Sequence, residues 1–111
     1  MFQIAQIIAC ILTILTGLLA LVRPRSVEGF TGLSAVGGRG VTEIRSVFGG
    51  LFIALGVVPL VLGGATFAML GYTYLALGIV RVVSIFLDKS SENSNWISVA
   101  VEFVFGILLV L

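Results

Sequence analysis

The sequence predicts an all-α protein, an integral membrane bundle of four antiparallel helices forming one domain over residues 1–111. Three observations predict it. Hydrophobic residues make up 59% of the chain and charged residues 10%, whereas soluble proteins average roughly 25% charged. Four apolar stretches approach the ~20 residues needed to cross about 30 Å of hydrocarbon. The charges between the ends of the chain lie on one side of those stretches, or a helical turn or two inside them from that same side.

The first span covers 2–22 and is closed by Arg23, Pro24 and Arg25. Proline disfavours helix at the residue before it, and the arginines supply an interfacial stop. A secretory signal is the alternative for an N-terminal apolar run, but no basic residue precedes this one and it is too long. The second span covers about 44–62 and the third about 66–87, with Gly63 and Gly64 as an uncharged tight turn that makes the two an antiparallel hairpin. Pro59 lies inside the second span and removes a hydrogen bond to the carbonyl of Leu55, so a bend is expected there. The polar residues 88–95 form a loop, after which Trp96 opens a fourth span to residue 111. That helix reaches only about 24 Å at 1.5 Å per residue, so it stands upright, thins the bilayer or continues in a longer chain.

An even number of spans puts both termini on one side and loops 23–43 and 88–95 on the other. Arg23, Arg25, Arg39, Arg45 and Lys89 all belong to the loop side. The positive-inside rule therefore places both loops in the cytoplasm and both termini outside a plasma (inner) membrane or its equivalent, with Trp96 as an interfacial anchor. Small residues at spacings of three and four offer close-packing faces: Gly17 with Ala20, Gly50 with Ala54, and Gly64, Ala68 and Gly71, along with Ala100.

Two charges lie deep within the spans. Arg81 sits about 9 Å inside the end of the third span, and Glu102 sits six residues into the fourth. Either charge alone is costly in hydrocarbon, so at matching depth on neighbouring antiparallel helices they are expected to pair. Ser84 and Asp88 share the stripe of Arg81. Glu43 and Arg45 open the second span and point in different directions, so at most one faces the bundle centre squarely. These six residues are the expected intramembrane polar cluster. Ahead of them, Gly37, Gly38, Arg39 and Gly40 lead into a helix for which Thr42 offers an N-cap. Glycine-rich backbone beside arginine can hold an anion or lipid head group, which makes Gly38, Arg39 and Gly40 a candidate contact that Glu43 opposes.

The near-balanced charge, net +1, argues against nucleic acid as a partner. Histidine is absent and the single cysteine, Cys10, lies in an apolar run, so neither an intrachain disulfide nor the usual haem and metal ligands are available. No cofactor or metal is expected. No nucleophile and base pair or nucleotide fingerprint supports catalysis.

The stretch from Gly40 through Glu43, Arg45, Gly49 and Gly50 has the form E-x-R-x-x-x-G-G at its centre. Gly78, Arg81, Ser84 and Asp88 form G-x-x-R-x-x-S-x-x-x-D, and Glu102 follows in the last helix. Together these resemble the bacterial family called domain of unknown function 4345, over nearly the whole chain. The resemblance implies four membrane helices and makes Glu43, Arg45, Gly49, Gly50, Arg81, Ser84, Asp88 and Glu102 signature positions. It implies no activity. Members usually carry a glycine soon after the aspartate, where this chain has Lys89.

The expected function is non-enzymatic: a small integral membrane protein acting as accessory or scaffold subunit of a larger assembly, with membrane lipids and other membrane proteins or further copies of itself as partners. The polar cluster is then a network of ion pairs that sets helix register. The alternative is a small carrier or a lipid- or anion-binding protein using a cytoplasm-facing Arg/Glu pocket. A proton relay is a further reading of the carboxylate, although the arginine beside it would hold it ionised.

Overall fold

The structure, a computed structural model, describes residues 2–111, with side chains from Gln3 onward. Every regular element among the described residues is helical. Four helices are long and apolar enough to cross a membrane: α1, Phe2–Val22; α2, Gly37–Leu62; α3, Ala65–Leu87; and α4, Asn93–Val110. At 1.5 Å per residue they measure about 31, 39, 35 and 27 Å. Between α1 and α2 run a 3₁₀ turn, Pro24–Val27, and a single helical turn, Glu28–Thr31.

Two boundaries differ from the sequence reading. The second helix begins at Gly37 rather than Ile44, so Gly37, Gly38, Arg39 and Gly40 are its first turn and not a loop before it. Val36 takes the N-cap position and Thr42 lies within the helix, capping nothing. Glycine is a poor helix former, but the hydrogen bonds of a first turn draw on the residues after it. The fourth helix begins at Asn93 rather than Trp96, because asparagine and serine are tolerated in a first turn whose N–H groups face water. The second helix, α2, continues through Pro59 to Leu62.

Contacts divide the chain into two compact units, residues 7–62 and residues 63–111 with the first residues of α1 through Gln6. In the first unit α1 and α2 are antiparallel, packed through glycines. A Cβ on Gly56 would fall 2.6 Å from the Cys10 carbonyl oxygen, and one on Gly17 would fall 2.7 Å from the Gly49 carbonyl oxygen. Gly49 in turn lies against Leu21. Gly50, expected at a packing face, has open space around it, and Gly49 and Gly56 occupy the contact instead. Residues Ile44–Gly50 adopt a π-helical turn within α2, a wider geometry that re-aims the residues following it.

In the second unit α3 and α4 are antiparallel partners joined by a short loop. Gly71 meets Gly106 backbone to backbone: a Cβ on Gly71 would sit 2.8 Å from the Gly106 carbonyl oxygen. Tyr74 stacks edge to face on Phe105 at 5.5 Å, Gly78 abuts the Phe103 ring, and Phe86 meets Trp96 at 6.2 Å. Of the expected row Gly64, Ala68 and Gly71, Gly71 makes the close helix contact; Gly64 has open space and a positive φ of 53°. That angle and the 64° of Gly63 form the uncharged turn before α3. Ala100 is exposed. At the other end, the Gln6 side-chain amide donates to the carbonyl oxygens of Leu108 and Leu109 at 3.1 and 3.4 Å, partnering carbonyls that a helix C-terminus leaves free.

The end of α3 gives a first prediction. Lys89 has φ 53°, the left-handed region, and the Ser90 N–H reaches back to the Ile85 carbonyl at 3.0 Å. This is the glycine position of a Schellman ending. Lys89→Gly is expected to raise stability by roughly 1 kcal/mol through relief of that φ, read as a later unfolding midpoint in detergent. A lowered midpoint would show that the lysine side chain holds the turn.

Candidate functional site

Arg81 lies on α3 about 9 Å from its end, and the antiparallel course of α4 carries Glu102 to the same level. The two side chains meet fork to fork: the Nε of Arg81 donates to Oε1 of Glu102 at 2.9 Å and Nη2 donates to Oε2 at 2.9 Å. This bidentate geometry is the strongest form of the arginine–carboxylate bond. Glu102 is almost wholly buried, its side chain 8% exposed, whereas that of Arg81 is 34% exposed.

The pair is extended toward the α3–α4 loop. Nη1 of Arg81 donates to Oδ1 of Asn95 at 3.2 Å, and the Asn95 amide donates to the Ser90 carbonyl at 2.9 Å and to the Ser90 hydroxyl at 3.3 Å. A chain of bonds therefore runs from Glu102 through Arg81 and Asn95 to Ser90. Among the described residues no buried side-chain nitrogen or oxygen lacks a hydrogen-bond partner. Satisfaction of this kind offsets the desolvation of a buried charge pair. Asn95 and Ser90 were not among the expected site residues. Both look like loop polarity in the sequence, and only the earlier start of α4, which puts Asn95 on its first turn, brings Asn95 within reach.

The rest of the expected cluster is placed differently. Ser84 is half-buried and Asp88 exposed, and neither makes a side-chain hydrogen bond with Arg81 or Glu102. In the other unit, Glu43 does not meet Arg45; it pairs with Arg39 one turn earlier on α2, both side chains exposed. A pair of that kind contributes only tenths of a kcal/mol. Arg45 is exposed. Gly38 and Gly40 belong to the first turn of α2, and the Gly40 N–H is taken by the Val36 carbonyl.

The segment before α2 is fastened around Ala35. Its N–H donates to Oε2 of Glu28 at 2.6 Å, and its carbonyl accepts from Nη1 of Arg25 at 3.3 Å. Beside it a pocket of about 250 Å³ is lined by Leu33, Ile44, Val47 and Phe48 with Ser34, Gly40 and Glu43. Its one charged side chain is already committed to Arg39, so it offers apolar volume and little to orient a ligand. No cluster of three metal-ligating side chains occurs among the described residues.

Chemically, the central arrangement joins α3 and α4 through charge-assisted hydrogen bonds, with both carboxylate oxygens and three guanidinium N–H groups engaged. In comparisons with known proteins, a family model described as Domain of unknown function (DUF4345) matches residues 1–111. No curated protein and no solved structure matches the chain.

Proposed function

The chain therefore belongs to the DUF4345 family, and on that premise we propose that it is a small, non-enzymatic integral membrane protein that serves as an accessory or scaffold subunit. Four helices cross the membrane as an antiparallel bundle. Loops 23–36 and 88–92 lie in the cytoplasm with Arg23, Arg25 and Lys89, and both termini lie outside, following the distribution of basic residues. The partners are lipids and other membrane helices.

The observation that carries this reading is the bidentate engagement of a charge pair deep in two of the helices. Arg81 and Glu102 bond to each other through both carboxylate oxygens, and Asn95 takes a third of the five guanidinium N–H groups. A carrier needs a charge that is free to exchange partners, whereas a register lock needs one that is not. The outward surface supports a lipid environment, since large apolar residues such as Leu15, Leu18, Tyr72, Val80, Val104 and Ile107 are exposed along the helices. Glycine contacts at Gly17, Gly56, Gly71 and Gly106 are the packing style of helices in lipid, where close van der Waals approach replaces the hydrophobic drive.

Extraction in mild detergent followed by native mass determination tests the scaffold role. The expected result is a complex with another membrane protein or a defined oligomer. A monodisperse monomer with no co-purifying protein would argue against it.

A further inference from the structure

The unit formed by residues 7–62 carries four arginines against two glutamates, and the structure shows how each charge is used. Glu28 accepts the Ala35 N–H, and Glu43 pairs with Arg39. Arg25 donates to the Ala35 carbonyl. Arg23 and Arg45 are left, both exposed and neither with an acid partner among the described residues. The helix register puts them at one level. Gly56 lies beside Cys10 and Ile14, Gly17 beside Gly49 and Ile53, and Gly49 beside Leu21. One further turn along each antiparallel helix brings the segment from Arg23, just past the end of α1, level with Arg45 on α2.

From this we infer that Arg23 and Arg45 form a contact surface for the phosphodiester of an anionic phospholipid, two unpaired guanidinium groups at the level where α1 leaves the hydrocarbon. The inference rests on the membrane reading above. A guanidinium matches phosphate bidentately and sheds its hydration more readily than an ammonium. Neither arginine has an acid partner among the described residues, so the surface presents positive charge to a lipid leaflet. The inference moves the anion contact away from Gly38, Arg39 and Gly40, because Arg39 is committed to Glu43.

Native mass spectrometry of the detergent-solubilised chain, titrated with phosphatidylglycerol or phosphatidylcholine, tests it. The wild type is expected to retain phosphatidylglycerol preferentially. The Arg23→Gln/Arg45→Gln variant is expected to lose that preference by about tenfold, while Arg39→Gln keeps most of it and the charge-preserving Arg23→Lys/Arg45→Lys variant loses part of it. Circular dichroism of the double glutamine variant checks that its helices persist; if they do not, the single Gln variants carry the comparison, each with a partial loss. Unchanged preference in the variants, or equal retention of the two lipids by the wild type, overturns the inference. Displacement by soluble glycerol phosphate at equal concentration overturns it too, because the site would then take a free phosphate. A wild-type chain that stays dispersed without detergent and retains neither lipid defeats the membrane reading itself.

Discussion

Glu102→Ala is expected to lower the free energy of unfolding by about 3 kcal/mol, the lower end of the range for a broken buried ion pair. Glu102 is the buried partner, and its loss leaves the Arg81 guanidinium with Asn95 as its remaining bonded group. Partial exposure of Arg81 permits water to relieve part of that cost, which is why the lower end applies. Glu102→Gln keeps an acceptor and the side-chain volume, so it should cost about half as much, in keeping with the net value of charge-assisted over neutral hydrogen bonds. Unfolding titrations in detergent followed by circular dichroism give both numbers. If Glu102→Gln instead abolishes binding or transport of a ligand at unchanged stability, the carrier reading replaces the structural one.

Gly71→Val carries the second large effect. A Cβ at this position would already sit 2.8 Å from the Gly106 carbonyl oxygen and 2.7 Å from Val110 Cγ1. The first of these neighbours is backbone and cannot rotate away, so α3 and α4 must separate at this level. Overpacking of a well-filled contact costs about 1–3 kcal/mol, and the two further methyl groups of valine place this case at the upper end. Gly50→Val is the matched control, since nothing stands closer than 4.0 Å to its Cβ, and it is expected to fall within about 0.5 kcal/mol of wild type apart from its helix propensity. Equal losses for the two variants would mean that the close approach of α3 and α4 at Gly71 does not set the cost, because helix propensity favours valine over glycine at both sites.

Hydropathy was enough to locate four long helices, because runs of about 20 apolar residues have few other uses. Depth counting was enough to pair Arg81 with Glu102, since a loop of known span between antiparallel helices fixes which levels face each other. The same reasoning failed at the helix ends. Gly37 to Gly40 and Asn93 to Asn95 read as loop by composition, yet first turns follow the hydrogen bonds of the residues after them, and propensity there is weakly expressed. The missed start of α4 also hid Asn95, the third member of the site.

Glycine faces were only partly legible for a related reason. Spacing along one helix identifies residues that share a stripe, but which stripe meets a neighbour depends on register between helices. Gly17 and Gly71 stand out by spacing, whereas Gly49 and Gly106, which complete their contacts, and Gly56, which meets Cys10 and Ile14, do not, Gly49 being marked only by the family resemblance. Gln6 was passed over because a lone amide in an apolar run carries no partner signal; its partners, the carbonyls of Leu108 and Leu109, lie at the far end of the chain.

The central claim is that Arg81 and Glu102 lock α3 to α4. A double-mutant cycle with Arg81→Leu, Glu102→Leu and the double variant, measured as unfolding free energy in lipid-containing micelles, tests it most directly. Each single variant strands a charge or removes its partner, whereas the double variant leaves an apolar contact at a level already flanked by Gly78 and Phe103. The account predicts a coupling energy of about 2 kcal/mol, with the double variant more stable than either single one. Additive losses, with coupling near zero, would contradict it and mean that the pair seen between the helices does not hold them together.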